Sequence, residues 1–160
     1  MLQPVMHILK QKTIILASGS PRRKELIENI GLKVILCPSL FEENLDPKSF
    51  DSFSAFVEET ALQKVLEVEK RLLSEGKKPD VVIGADTMVA LGTEMFGKPT
   101  SEAEAFTMLS RLSGRGHTVY TGVVIKTDDK IVKFTEKTNV FFGNVDDEQI
   151  KGYIATGEPM

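Results

Sequence analysis

The sequence predicts an α/β fold in which helices cover a mixed sheet, and three observations support this prediction. Short apolar runs rich in β-branched residues alternate with helical patterns from Thr13 onwards. The strand predicted from Asp80 to Ala85 is apolar on both faces, as a central parallel strand requires. The runs His117–Ile125 and Ile131–Phe142 are joined by an Asp128-Asp129 turn, which indicates an antiparallel pair.

The other elements are predicted from turn residues and helix caps. Strands are expected at Thr13–Ala17 and Lys33–Cys37, with a short hairpin over residues 88–96. Helices are expected over residues 21–31, 52–74, 101–114 and 146–155. Strands and helices thus alternate along one domain, without an internal repeat.

Length, charge and cysteine content narrow the class of protein. With 160 residues and 41% apolar side chains, the chain has the size of one globular domain. Its net charge of -3 argues against a general affinity for nucleic acid or for an anionic membrane. Its apolar runs are short and no signal-peptide pattern is present. We therefore expect a soluble, cytoplasmic protein, and the single Cys37 agrees with a reducing compartment.

The stretch SGSPRR, residues 18–23, places two arginines in the first turn of a predicted helix. Unpaired backbone N–H groups and the helix dipole make such a terminus suitable for a phosphate, and arginine adds donors in a rigid fork. Acidic side chains are usually preferred at this end of a helix, so Arg22 and Arg23 favour an anion site. The alternative is a solvated basic turn in which Ser20 only caps the helix.

Further charged residues lie at positions where binding or catalytic residues are often found. Asp86 follows the central strand, where open α/β sheets place ligands, although an Asx turn is the alternative. Lys64 interrupts the apolar face of the long helix, so that it either meets an anion or extends along the helix rim to solvent. Lys98 lies in a Gly-Lys-Pro turn, with a solvated loop as the alternative, and Glu42 and Glu43 lie in an acidic loop. Together they predict metal-dependent phosphate chemistry.

Five stretches resemble, in order and with similar gaps, the Maf family of nucleoside triphosphate pyrophosphatases. They are LASGSPRRKELIENIG, ETALQKV, VIGADTMVALGTEMFGKP, AFTMLSRLSGRGHTVYTGV and GYIATGEPM. The resemblance implies an elongated mixed sheet flanked by helices, similar to inosine triphosphatases, with a nucleotide cleft between two lobes. It implies an N-terminal extension over residues 1–12 and a Maf-like domain over residues 13–160. Family members continue past GEPM, so the C-terminal part of the family domain is expected to be missing here.

The resemblance also implies an activity and its site residues. Family members hydrolyse nucleoside triphosphates to the monophosphate and pyrophosphate with a divalent metal, Mg²⁺ or Mn²⁺. Asp86 matches the family's general base and metal-linked carboxylate, and Glu43 its second acidic residue, with Glu42 as the alternative. The residues that match the phosphate-binding positions are Ser18, Ser20, Arg22, Arg23, Lys64 and Lys98.

Substrate choice and assembly are implied in the same way. Arg22 and Thr87 match the branch that acts on dTTP and UTP, with modified pyrimidine nucleotides as further candidates. A homodimer is implied, and in some animal relatives the domain is fused to a methyltransferase-like domain. The alternative function is a catalytically impaired nucleotide-binding or regulatory module.

Overall fold

A computed structural model describes residues 2–160 of the chain. Over these residues the strands are β1 (Ile14–Leu16), β2 (Ile35–Leu36), β3 (Val81–Leu91), β4 (Glu94–Phe96), β5 (Gly116–Lys126) and β6 (Ile131–Phe141). The helices are α1 (Met6–Leu9), α2 (Pro21–Glu28), α3 (Phe53–Ser74), α4 (Glu102–Leu112) and α5 (Asp147–Ala155). The strand order is β2-β1-β3-β5-β6, with β4 paired to β3. Parallel and antiparallel pairs occur together, which confirms the predicted mixed α/β class.

The chain divides into two compact units. The first consists of the described residues up to Asp86 together with Gly122–Thr135, and the second of Thr87–Thr121 with Glu136–Met160. The strands β3, β5 and β6 each contribute residues to both units.

The core of the first unit lies on both faces of β1, which pairs parallel with β2 and with β3. On one face, the apolar stripe of α3 packs on the sheet through Ala61, Val65, Val68, Leu72, Ile15, Ala17, Val82 and Val124. On the other face, Ile14 and Leu16 pack with Val34, and Ile27 of α2 adds to this cluster. Burial on both faces explains why β1 is a continuous apolar run rather than an alternating one.

Two strand glycines allow α3 to lie close to the sheet. A Cβ atom on Gly84 of β3 would lie 2.5 Å from Cγ2 of Val65 and 2.9 Å from the carbonyl oxygen of Ala61. A Cβ atom on Gly122 of β5 would lie 2.5 Å from the carbonyl carbon of Val57. Both glycines therefore permit a close backbone approach that no larger residue allows without displacement of the helix.

Two predicted strand boundaries are wrong. β3 does not end at Ala85 but continues to Leu91, so Asp86 lies inside the strand rather than after it. The parallel pairing with β1 stops at Ile83 and the antiparallel pairing with β4 begins at Val89, while β5 is the other neighbour of β3 in the sheet. β2 is shorter than predicted and comprises Ile35–Leu36 alone.

The second unit is built on a hairpin and two packed helices. The hairpin of β3 and β4 turns at Gly92, which has a positive φ of 62°. Ser101 caps α4, and Asp146 caps α5 in a reciprocal capping box with Gln149. The two helices bury Ala105, Leu109, Ile150 and Ile154 against each other, with Phe106, Phe142 and Met160 at the margin.

Candidate active site

The turn between β1 and α2 is held by its two serines. Ser20 is the N-cap of α2, and its Oγ accepts a hydrogen bond from the backbone nitrogen of Arg23 at 3.3 Å. Ser18 is 9% exposed, and its Oγ accepts from the backbone nitrogen of Ser20 at 3.1 Å. The capping role considered for Ser20 is therefore present, and it shapes the turn that presents the two arginines.

The two arginines of this turn have different surroundings. Arg22 is exposed, whereas Arg23 is half-buried and extends towards β3. Nη1 of Arg23 donates to the carbonyl oxygen of Ala85 at 3.2 Å and lies 3.5 Å from Oγ of Ser18. Burial lowers the pKa of Arg23, while the carboxylates of Asp86 and Glu43 act in the opposite direction. Arg23 is thus a desolvated cation within electrostatic range of both carboxylates.

Lys64 meets carboxylates rather than solvent. Its side chain is 16% exposed, and Nζ lies 2.6 Å from Oε1 of Glu43 and 3.3 Å from Oδ1 of Asp86. The same nitrogen lies 3.5 Å from the carbonyl oxygen of Ala85. The interruption of the apolar stripe noted in the sequence therefore places a cation against β3 and against the acidic loop.

Asp86 is the most buried charged group of this cluster, with 8% of the residue exposed. Burial raises the pKa of Asp86, Lys64 and Arg23 counteract that effect, and the nearby carboxylate of Glu43 reinforces it. A carboxyl group whose pKa is raised in this way can accept a proton near neutral pH more readily than an exposed aspartate.

The carboxylate that reaches Lys64 is that of Glu43, so the structure distinguishes Glu43 from the neighbouring Glu42. The carbonyl oxygen of Glu42 accepts a hydrogen bond from the backbone nitrogen of Asn44 at 2.9 Å. Of the two candidates left open by the sequence, Glu43 is the one that the loop brings to the cluster.

The donor set of Asp86 and Glu43 fits a hard divalent cation that is completed by a substrate. Their oxygens both approach one ammonium nitrogen, so the surroundings already favour a positive charge. Mg²⁺ is commonly held by one or two carboxylates together with substrate phosphates and water. Among residues 2–160 no group of three or more His, Cys, Asp or Glu side chains that could hold a metal ion is present.

Two predicted site residues belong to the second unit. Thr87 is exposed, and its Oγ1 lies 3.0 Å from Oγ1 of Thr121. Lys98 is exposed and lines a cavity of about 490 Å³, together with Phe96 and Met108 among others. In the first unit the structure gathers Ser18, Ser20, Arg23, Glu43, Lys64 and Asp86 around the turn, the loop and β3.

An ion pair within α3 was not predicted from the sequence. Glu67 and Arg71 form an ion pair, with Nε of Arg71 2.9 Å from Oε2 of Glu67, and both contact the loop that follows β2. These residues stand three and seven positions after Lys64, on the same side of the helix. That spacing was the available signal, but an i,i+4 pair on a helix usually marks an exposed surface.

Comparison with known proteins identifies the family to which the chain belongs. Residues 13–160 match the family described as Maf-like protein. The chain belongs to the Maf family. A Maf relative from Homo sapiens is named probable bifunctional dTTP/UTP pyrophosphatase/methyltransferase protein. It is 44% identical over 168 residues, which cover 99% of this chain and 27% of that protein.

A bacterial Maf relative is matched over a larger share of its length. The dTTP/UTP pyrophosphatase of Bacillus cereus is 44% identical over 160 residues, which cover 98% of this chain and 75% of that protein. A crystal structure of a Vibrio cholerae protein aligns with a TM-score of 0.49 at 10% identity, covering 93% of this chain and 70% of that chain. Within residues 2–160 of this Maf chain, no helix combines the length and apolar character needed to cross a bilayer.

Proposed function

We propose that this Maf domain is a nucleoside triphosphate pyrophosphatase that hydrolyses dTTP and UTP. The relatives from Homo sapiens and Bacillus cereus carry that activity in their names and share 44% of their aligned residues with the chain. The observation that carries the proposal is the position of Lys64, whose ammonium contacts both Asp86 and Glu43 while Arg23 lies nearby. Cations beside paired carboxylates suit a polyphosphate whose charge is shared with a metal.

In the proposed reaction the oxygen of a water molecule attacks the α-phosphorus. The bond between the α-phosphorus and the oxygen that bridges to the β-phosphate breaks, and pyrophosphate leaves with the bonding electrons. Asp86 takes the proton of the attacking water, which its buried position and raised pKa favour. The products are the nucleoside monophosphate and pyrophosphate.

The cationic and hydroxyl groups position the triphosphate. Arg23 offers a guanidinium fork held by Ala85, and Ser18 and Ser20 offer hydroxyl groups at the start of α2. Lys64, whose ammonium now contacts two carboxylates, offsets part of the phosphate charge. Lys98 is assigned to the phosphates by its match to the family pattern.

A divalent cation, Mg²⁺ or Mn²⁺, belongs to the proposal. Asp86 and Glu43 are the residues that would hold it, and when bound it supplies Lewis-acid polarisation of phosphate oxygens and a water of lowered pKa.

Base selection is assigned to Arg22 and Thr87. Arg22 is exposed on the first turn of α2, and Thr87 is exposed on β3 next to Thr121. Their match to the family branch that prefers pyrimidine nucleotides supports dTTP and UTP, and modified pyrimidine nucleotides as further substrates. A homodimer and a cytoplasmic location complete the proposal, the latter supported by the free thiol of Cys37.

The second candidate is a nucleotide-binding module without turnover. One consequence of the Lys64 contacts favours it: the ammonium already engages Asp86 and Glu43, the two carboxylates that would otherwise be open to a metal ion. Such a module would bind dTTP and release no pyrophosphate.

The deciding experiment measures pyrophosphate release from a panel of canonical and modified nucleoside triphosphates, with Mg²⁺, with Mn²⁺ and with a chelator. Calorimetric binding of dTTP runs in parallel. Release that is strongest with dTTP and UTP and needs the metal supports the enzyme. Binding without release supports the module. If dTTP is not bound and no pyrophosphate is released, both candidates are rejected.

The role proposed for Asp86 is tested with the variant Asp86→Asn in the same release assay, and Asp128→Asn is its matched control. Asp128 lies in the same unit, where it pairs with Lys78 at 3.3 Å, and its side chain is 65% exposed. This control changes the same chemical group at a solvated position, so it should retain full turnover.

A further inference from the structure

We propose that Glu67 and Arg71 of α3 form a latch that positions Glu43 for the reaction. The inference rests on the proposed function, because it concerns the second carboxylate of that site. It makes Glu67 and Arg71 positioning residues that act through the loop between β2 and Glu43.

The latch holds three consecutive residues of this loop. Oε1 of Glu67 accepts a hydrogen bond from the backbone nitrogen of Leu40 at 2.6 Å and lies 3.3 Å from Oγ of Ser39. Nη2 of Arg71 donates to the carbonyl oxygen of Pro38 at 2.8 Å. The loop is therefore bound to the helix by backbone as well as side-chain hydrogen bonds, which a surface ion pair alone does not provide.

The two latch residues hold each other in a fork. Nε of Arg71 donates to Oε2 of Glu67 at 2.9 Å, and Nη2 lies 3.2 Å from Oε1. The hydrogen bond from Arg71 lowers the pKa of Glu67, and the bond to Glu67 raises the pKa of Arg71. Both groups stay charged, and each uses the remaining hydrogen-bonding positions on the loop.

Helix spacing connects the latch to the site. Lys64, Glu67 and Arg71 are separated by three and four residues, so they form one stripe along α3. The loop crosses this stripe, with residues 38–40 on the latch and Glu43 on Lys64 at 2.6 Å. Only Phe41 and Glu42 stand between Leu40 and Glu43, and the backbone nitrogen of Phe41 donates to Oγ of Ser39 at 3.0 Å.

Glu43 needs this support because its ion pair with Lys64 alone does little to fix its position. Its side chain is 55% exposed, and an ion pair at such exposure stabilises a conformation only slightly. A backbone that is anchored just upstream reduces the freedom of the loop, so the carboxylate is held beside Lys64 before a substrate or a cation binds.

The test compares Glu67→Ala and Glu67→Gln with Glu69→Gln as matched control. Glu69 is also on α3, and its carboxylate lies 2.7 Å from Nζ of Lys126 with 20% of the side chain exposed, but that pair holds β5 rather than the loop. Glutamine at position 67 keeps an acceptor for Leu40 and loses the charge, so an intermediate effect is expected from it.

The first readout is hydrogen exchange of the amides of Leu40 and Phe41, which does not depend on activity. In Glu67→Ala both amides should exchange roughly tenfold faster than in the wild type. The amide of Leu40 loses its acceptor, and the amide of Phe41 is bonded to Ser39, whose contact with Glu67 is lost. Glu69→Gln should leave the exchange of both amides unchanged. Unchanged exchange in Glu67→Ala would overturn the latch, whatever the enzyme does.

The second readout is the Mg²⁺ concentration at half-maximal release of pyrophosphate from dTTP. It should rise roughly tenfold in Glu67→Ala, which is typical when a residue that orients a metal ligand is lost, and rise less in Glu67→Gln. In a Glu43→Gln background Glu67→Ala should add no further change, because its effect passes through Glu43. Additive effects, or an equal effect of Glu69→Gln, would reject the positioning role.

Failure of the proposed function is a separate outcome. If the wild type releases no pyrophosphate, that function is rejected, and calorimetric titration of the wild type and of Glu67→Ala with dTTP and Mg²⁺ takes the place of the kinetic readout. Roughly tenfold weaker binding in Glu67→Ala, together with faster exchange, supports the latch. Equal binding rejects it as a positioning device.

Discussion

Nζ of Lys64 lies 3.3 Å from Oδ1 of Asp86, and this contact joins α3 to the middle of β3. Both side chains are largely buried, at 16% and 11% exposed, so the charges are exposed to little water. The contact explains how one buried carboxylate and one lysine on an apolar helix face are tolerated in the same unit.

Substitution of Lys64 by methionine should reduce both stability and activity. Loss of the ammonium removes the cation that contacts both Asp86 and Glu43 and leaves only the more distant Arg23, which should lower the free energy of unfolding by about 2 kcal/mol. Pyrophosphate release should fall about a hundredfold, as expected when one group that stabilises transition-state charge is removed. Urea denaturation and a release assay measure the two effects.

The control for this prediction is Lys126→Met. Nζ of Lys126 lies 2.7 Å from Glu69, and its side chain is 15% exposed, close to the value for Lys64. Its loss should lower stability while activity is retained. Equal losses of activity in the two variants would contradict a specific role for Lys64.

Asp86→Asn should strongly reduce turnover without lowering thermal stability. The amide cannot take a proton from water, so release should drop roughly a thousandfold. Because burial raises the pKa of Asp86, the charged form bears a desolvation cost that the neutral amide avoids. The melting temperature of Asp86→Asn should therefore equal or exceed that of the wild type in calorimetry. A large fall in melting temperature would show that the ion pair with Lys64 outweighs the cost of burial.

The free energy of unfolding should fall at acidic pH because of the buried His117. The residue is 7% exposed, its ring packs edge-on against Phe142 with centroids 4.8 Å apart, and burial lowers the pKa of His117 from its ordinary value of 6.5. The unfolded chain then binds a proton more readily than the folded chain. The contribution to stability is complete above pH 6.5 and is lost as the pH falls from that value towards the folded pKa.

Urea denaturation between about pH 5 and about pH 8 measures this effect. His117→Gln should show a flatter pH dependence than the wild type. Each unit of pKa separation corresponds to about 1.4 kcal/mol of unfolding free energy. Identical slopes for the wild type and His117→Gln would mean that His117 does not titrate differently on unfolding.

Alanine at Gly122 should destabilise the first unit. The added Cβ would lie 2.5 Å from the carbonyl carbon of Val57, which is helix backbone and cannot rotate away, so α3 must shift from β5. A loss of about 2 kcal/mol is expected in urea denaturation, typical of an overpacked core. Gly152→Ala is the control, because nothing lies within 4 Å of its Cβ position in α5. That substitution should leave stability unchanged or raise it slightly.

Much of the fold could be predicted because its signals are local. Ser101 and Asp146 cap α4 and α5 as the sequence indicates, and Gly92 turns the predicted hairpin with a positive φ. The end of β3 could not be predicted, since the strand continues beyond its pairing with β1, with β5 and β4 as its other neighbours in the sheet. Strand length depends on partners elsewhere in the chain, which no local pattern contains.

The candidate site divides in the same manner. Composition, the motif SGSPRR and the stripe that Lys64 interrupts are sequence properties, and from them phosphate chemistry was predicted and the family resemblance was found. Tertiary structure alone decided that Glu43 rather than Glu42 reaches Lys64, that Asp86 lies inside β3, and that Glu67 and Arg71 hold the loop. The physical reason is that residue types and periodicity are encoded along the chain, whereas ion pairs and loop hydrogen bonds depend on which distant segments packing brings together.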